Sequence, residues 1–106
     1  NEPCDHFPVM THEVKLTEMT REANKRFFSS IDEVPTAAVT MGIGTVMAAR
    51  KIIMVITGAD KADILYKVFF GPVTPEVPGS ILQFHHDVTL ICDEAAARFV
   101  EERYAF

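Results

Sequence analysis

Lys61 is the residue whose surroundings in the sequence most favour a bound anion. It follows the most apolar segment of the chain, 52–56, after a short turn that contains Gly58, and it lies at the start of an expected helix. Free backbone N–H groups, a glycine that permits close approach and a lysine ammonium together favour a phosphate. The alternative is a solvated lysine beside a capping Asp60, and spacing alone favours this simpler interpretation.

Two further features have weaker chemical signals. Glu2 precedes Pro3, which biases the glutamate towards an extended conformation that could aim its carboxylate into a cleft. A lone glutamate is nevertheless more often a solvated surface group. The segment 42–45, Gly-Ile-Gly-Thr, lies between an expected strand and helix but lacks the third glycine of a dinucleotide site and the lysine of a P-loop. A tight structural turn is therefore favoured there.

The histidines and cysteines do not predict a metal site or a nucleophile. His85 and His86 are adjacent, and neighbouring side chains on a strand point apart. No histidine pair has the helical i, i+4 spacing of a metal site with a nearby acid. Cys92, at the end of an apolar segment, is expected in the core, and it is far in sequence from Cys4. We therefore expect no bound metal.

Composition excludes several classes of protein. The 106 residues carry a formal net charge of −5, and the basic residues are scattered, so nucleic acid is not an expected partner. The longest apolar run is too short to cross a bilayer, and no secretion signal is present, so the expected location is the cytoplasm. The opening Asn1-Glu2-Pro3 is typical of the middle of a longer protein, and we expect the chain to be a fragment.

Alternating strands and helices are expected to position these residues. The patterns predict strands at 13–17, 39–41, 51–56 and 88–92, and helices at 20–28, 46–50, 60–70 and 93–103. Thr20 and Asp93 are the expected caps of the first and last helices. The run 51–56 is typical of a strand buried on both faces, and the order of elements predicts an α/β fold with a parallel sheet. Four phenylalanines are expected in the core: Phe27, Phe28, Phe69 and Phe70.

Several motifs occur together along nearly the whole chain. They are Asn1-Glu2-Pro3, 20–28 (TREANKRFF), Val34-Pro35, 40–45 (TMGIGT), 57–61 (TGADK), 77–83 (VPGSILQ) and Cys92-Asp93-Glu94. In order and spacing the chain resembles the glucosamine-6-phosphate deaminase family. The resemblance implies a Rossmann-like parallel sheet with flanking helices, in which residues 1–106 form an incomplete C-terminal portion of a single deaminase/isomerase domain.

The resemblance also implies a reaction and roles for three residues. Family members open the ring of an amino-sugar 6-phosphate, isomerise aldose to ketose and release ammonia by hydrolysis, with no implied cofactor or metal. Glu2 matches the family glutamate that orients the catalytic histidine for ring opening. Arg26 and Lys61 match the two cations that bind the sugar phosphate, the expected small-molecule partner. The catalytic histidine and the proton-abstracting aspartate are expected upstream of this chain, so the chain alone should be inactive.

Other functions stay open at this point. Galactosamine-6-phosphate deaminase/isomerases are not excluded, because no residue that reads the C4 hydroxyl is identifiable. A non-catalytic sugar-phosphate-binding module, as in related transcription regulators, is the alternative outside the enzymes. The related lactonases are disfavoured because they have a different run in place of Asn1-Glu2-Pro3. Association with a second copy or with the missing N-terminal part is also left open, and the absence of Lys and Arg from 4–10 puts allosteric activation in doubt.

Overall fold

The computed structural model describes residues 2–103, with side chains through residue 100. Four strands and four α-helices occur in this part of the chain, linked in several places by short 3₁₀ turns. The strands are β1 (His12–Lys15), β2 (Ala37–Thr40), β3 (Ile52–Ile56) and β4 (Val88–Cys92), and the helices are α1 (Glu18–Asn24), α2 (Ile43–Met47), α3 (Ala62–Phe70) and α4 (Glu94–Arg103). None of the described helices is long and apolar enough to cross a membrane.

The strands form two separate pairs with opposite pairing directions. β3 and β4 are parallel, in a register that joins Ile52 to Val88 and Ile56 to Cys92. α3 lies between these two strands in the sequence, so the second half of the chain is a βαβ unit, which confirms the predicted α/β class. β1 and β2 instead pair antiparallel, although they too are joined by a helical segment. The parallel pairing that the element order predicts therefore holds for one of the two pairs.

The core lies on one face of the β3–β4 pair. Ile56, Leu65 and Ala96 form its buried centre, so one strand and both neighbouring helices contribute to it. Cys92 packs against this centre, as the sequence predicts. The opposite face is largely open within residues 2–103, since Ile53 is 59% exposed and Val55 is 64% exposed. The prediction that the strand is buried on both faces is wrong for the described chain, because α3 and α4 both cover the same face.

The expectation that four phenylalanines are core residues is mostly wrong. Phe69 packs against the core, whereas Phe27, Phe28 and Phe70 are exposed, with Phe27 at 67%. Phe27 belongs to a 3₁₀ turn, Lys25–Phe27, that follows α1. The α-helix ends at Asn24, four residues earlier than the periodicity predicts, so Phe27 and Phe28 do not extend its apolar face.

Helix α1 begins at Glu18, and its N-cap lies three residues before the predicted cap. Thr17, rather than Thr20, is the N-cap: its backbone is extended and its side chain accepts the N–H of Thr20 at 3.3 Å. The final helix follows the prediction, since Asp93 Oδ1 accepts the N–H of Ala96 at 2.9 Å. Asp60 makes no side-chain capping bond to the segment that begins at Ala59, so the predicted Asp60 cap is wrong.

We expect Arg21→Met to destabilise the fold by about 1–3 kcal/mol. The largely buried Arg21 guanidinium donates to the carbonyls of Ile31 (3.0 Å) and Val34 (3.2 Å), and its removal leaves the Val34 carbonyl without this donor. Arg21 Nε is buried without a partner in the described residues, which offsets part of the loss. Urea denaturation of the chain measures the change in the free energy of unfolding.

Lys25→Met is the matched control for this substitution. Lys25 is one turn further along and forms an exposed ion pair with Glu22 at 3.4 Å. Exposed pairs of this kind contribute about 0.3–0.5 kcal/mol, so this variant should remain close to the parent. Equal losses of unfolding free energy in the two variants would show that the hydrogen bonds from Arg21 to the Ile31 and Val34 carbonyls contribute no more than an exposed ion pair does.

Candidate functional site

The carboxyl edge of the parallel strand pair is where Lys61 lies. β3 ends at Ile56, a turn passes through Gly58, and a 3₁₀ segment, Ala59–Lys61, leads directly into α3. In open α/β sheets, ligands bind at the carboxyl ends of the parallel strands. The Lys61 side chain is exposed, and among the side chains of residues 2–100 no carboxylate lies within ion-pair distance of it. The ammonium is therefore available to an anion at this edge.

The turn before Lys61 has a conformation that requires glycine. Gly58 has φ of 97°, and a Cβ there would lie 2.7 Å from Asp60 Oδ1. The Gly58 carbonyl accepts the backbone N–H of Lys61 at 3.1 Å. The Gly58 N–H donates to the carboxylate of Asp93, at 3.2 Å from Oδ1 and 3.0 Å from Oδ2. The turn is thus fastened to the start of α4 as well as to its own 3₁₀ segment.

Glu2 lies on the wall of a pocket near the start of α1. Its Oε2 accepts the backbone N–H of Thr17 at 2.8 Å, and its Oε1 accepts the hydroxyl of Thr20. Partial burial acts to raise the pKa of Glu2, but the hydrogen bonds from Thr20 and Thr17 outweigh it and lower that pKa below the ordinary value. Glu2 therefore carries a negative charge that the first turn of α1 stabilises.

The pocket has a volume of about 270 Å³ and is mainly apolar. Its polar groups include Glu2, His12 and Thr40, and apolar side chains such as Val14 and Ile81 complete its wall. His12 Nδ1 lies 2.9 Å from the carbonyl of Met10. The described residues that line this pocket include neither Arg26 nor Lys61. The structure does not gather the three predicted site residues into this one cavity.

Arg26 lies in the exposed 3₁₀ turn that follows α1. Its Nη1 donates to the carbonyl of Ala23 at 3.0 Å, and its guanidinium carbon is 4.5 Å from the centre of the Phe27 ring. No carboxylate of the described residues pairs with it. The stacked ring orients the guanidinium without neutralising its charge, so an external anion can still bind.

The glycine segment 42–45 has a structural role, as the sequence favours, but it caps and begins α2 (Ile43–Met47) instead of forming a separate turn before a helix at 46–50. The N–H groups of Ile43 and Gly44 donate to the carbonyls of Pro8 (2.8 Å) and Val9 (3.0 Å). A Cβ on Gly42 would lie 2.1 Å from the Val9 carbonyl oxygen, so only glycine permits this approach. Because the chain itself occupies these donors, this helix start does not offer them to a phosphate.

The paired histidines differ from the expectation. The rings of His85 and His86 stack, with centroids 4.7 Å apart, rather than pointing apart. They lie before β4 and not within a strand, so the alternation of a strand does not apply to them. Among the side chains that the structure describes, those of residues 2–100, no group of three or more His, Cys, Asp or Glu could hold a metal.

Sequence reasoning missed the contact between Gly58 and Asp93. Gly58 is two residues beyond the end of β3, and Asp93 is one residue beyond the end of β4. Because Ile56 and Cys92 are partners in a parallel register, residues just past them meet at the same edge. The two strand ends could be located in the sequence. Predicting that Gly58 and Asp93 meet also requires the register of the strands, which the sequence pattern alone does not determine.

Comparison with known proteins identifies close relatives. Over 97 residues, the chain is 57% identical to the glucosamine-6-phosphate deaminase of Streptococcus thermophilus, covering 92% of the chain and 42% of that protein. It is 54% identical to the glucosamine-6-phosphate deaminase of Clostridioides difficile, again over 97 residues, with 92% of the chain and 39% of that protein covered. No protein-family model matches the chain.

A solved structure agrees with these relatives. It is described as a monomeric glucosamine-6-phosphate deaminase of the NagB superfamily, and it matches 92% of this chain and 40% of its own with a TM-score of 0.84 and 43% identity. The chain therefore spans about two fifths of the length of the relatives it matches. Over that length, sequence and fold together identify it as a segment of the glucosamine-6-phosphate deaminase family.

Proposed function

We propose that this chain forms the phosphate-binding part of a glucosamine-6-phosphate deaminase, which converts glucosamine 6-phosphate and water to fructose 6-phosphate and ammonia. The position of Lys61 at the carboxyl edge of the β3–β4 pair carries the proposal. At that edge an exposed, unneutralised ammonium follows a glycine turn, and this combination favours a phosphate monoester.

Arg26 and Glu2 complete the proposed site in different ways. Arg26 supplies a second cation, which can bind phosphate oxygens with a planar fork of donors. Glu2 orients the histidine that opens the sugar ring. Its two oxygens offer about four acceptor positions. The contacts to Thr17 and Thr20 leave room for an imidazole N–H.

A graft tests the proposal. The segment of the Streptococcus thermophilus enzyme that this chain matches is replaced by the chain, and we call the product the grafted enzyme. We expect the grafted enzyme to release ammonia from glucosamine 6-phosphate. The 106-residue chain alone should release none above a heat-treated control, because general acid–base catalysis needs positioned groups that we assign to the rest of the relatives' length.

Two outcomes would contradict this function. A grafted enzyme that is folded by circular dichroism and binds glucosamine 6-phosphate without releasing ammonia would indicate a non-catalytic binding module. Ammonia release by the chain alone would show that its own residues suffice for catalysis. The unmodified Streptococcus thermophilus enzyme, purified in parallel, sets the reference rate.

A further inference from the structure

We propose that Asp93 is a positioning residue for Lys61, which it holds at the carboxyl edge of the sheet through Gly58. The inference rests on the proposed function, since it assigns a task to the turn that carries the phosphate-binding lysine. It adds a residue that contacts neither the sugar nor the reacting atoms.

A short chain of hydrogen bonds connects the two residues. Asp93 accepts the Gly58 N–H with both carboxylate oxygens, at 3.2 and 3.0 Å. The carbonyl of the same Gly58 accepts the Lys61 N–H at 3.1 Å. Gly58 is therefore held through both of its backbone polar groups, one by α4 and the other by the lysine itself.

Both ends of this connection lie on rigid structure. Asp93 Oδ1 also accepts the N–H of Ala96, which is fully buried in the core. Lys61 is followed immediately by the buried Ala62, the first residue of α3. Because α3 and α4 pack on each other, the Asp93 carboxylate and the Lys61 backbone are both attached to the same packed pair of helices. The Gly58 turn connects these two packed positions.

A helix cap does not account for both carboxylate oxygens. Capping α4 requires one acceptor for the Ala96 N–H, and serine would supply it almost as well. The second oxygen, Oδ2, accepts the Gly58 N–H from the neighbouring strand's carboxyl end. Gly58 needs this restraint because its φ of 97° is easily exchanged for other glycine conformations.

Two substitutions separate the cap from the connection to Gly58. Asp93→Ser keeps a capping oxygen but is one bond too short to reach across to Gly58. Asp93→Asn keeps the length and one acceptor oxygen while removing the charge. We expect Asp93→Ser to lower the hydrogen-exchange protection of the Gly58 and Lys61 amides in the full chain about tenfold, with the Ala96 amide within threefold of the parent.

The matched kinetic measurement uses the grafted enzyme. Asp93→Ser should raise KM for glucosamine 6-phosphate about three- to tenfold and leave kcat within twofold, because the lysine binds a group remote from the bond that breaks. Asp93→Asn should stay within about threefold of the parent in both constants. If Asp93 had only a structural role, Asp93→Ser would lower thermal stability but would not raise KM selectively while leaving kcat unchanged.

The outcomes distinguish the positioning role from the proposed function. Unchanged Gly58 and Lys61 protection in Asp93→Ser would overturn the positioning role, whatever the kinetics. A loss of protection without a rise in KM would overturn the link between the turn and substrate binding. If KM is unchanged in Lys61→Ala as well as in Asp93→Ser, the proposed phosphate site is wrong. If KM rises in Lys61→Ala but not in Asp93→Ser, only the positioning role of Asp93 is refuted.

Discussion

Lys61→Ala in the grafted enzyme is expected to raise KM for glucosamine 6-phosphate by roughly 10- to 150-fold. A charge-assisted hydrogen bond contributes about 1.5–3 kcal/mol, and that range corresponds to this change in affinity. The phosphate is remote from the carbons that isomerise, so its contact stabilises the substrate and the transition state alike and kcat should change little. Steady-state ammonia release at varied substrate concentration gives both constants.

Lys67→Ala is the control for the removal of a lysine from the same helical region. Lys67 is in α3, where it pairs with Asp63 at 3.0 Å in an exposed ion pair, and its loss should leave KM within twofold. Arg26→Ala should resemble Lys61→Ala, with Lys25→Ala as its own control. Unchanged KM in Lys61→Ala, with the 6-phosphorylated substrate, would refute the phosphate role of this lysine.

The sequence predicts the second half of the fold better than the first half. β4 occupies the predicted range, and Asp93 caps α4 as expected, because a short apolar run and a capping side chain act through neighbours in the sequence. The antiparallel pairing of β1 with β2 was not predicted, since pairing direction depends on contacts between distant segments. Exposure of Ile53 and Val55 has the same origin: apolar type predicts a tendency to be buried, but not which face another element covers.

For the candidate site, the sequence proposed residues but did not predict the contacts they make. The order strand, glycine turn, helix marked Lys61 as a candidate, but spacing alone favoured a solvated lysine, and its assignment to the phosphate comes from the resemblance. Arg26 carried no signal beyond the resemblance, because a cation late in a helical segment is ordinary. The partners of Glu2 are Thr17 and Thr20, 15 and 18 residues away, and no local pattern connects an extended residue with a helix start at that distance.

Glu2→Gln in the grafted enzyme is expected to lower kcat on the cyclic sugar by about 10²- to 10³-fold, with a much smaller change in KM. The proposed task of this carboxylate is to orient and polarise the ring-opening histidine, and glutamine keeps the shape while removing the charge. A substrate analogue already in the open-chain form should lose less rate, because it bypasses ring opening. Equal rate losses on the cyclic and open-chain substrates would refute the ring-opening role.

The contacts of Glu2 also give it a structural role, which needs a separate control. Thr20→Val removes the hydroxyl that donates to Glu2 but keeps the carboxylate and its bond from the Thr17 N–H. This variant should lower Tm about as much as Glu2→Gln while kcat stays within about tenfold of the parent. Because hydrogen bonds lower the pKa of Glu2 in the folded state, its contribution to stability is full above its unfolded pKa and is lost as the pH falls through the lower folded pKa. The Tm difference between the parent and Glu2→Gln should therefore shrink under strongly acidic conditions. If Glu2 has only a structural role, the Tm difference will shrink in this way but the kinetics of Glu2→Gln at neutral pH will equal those of the parent.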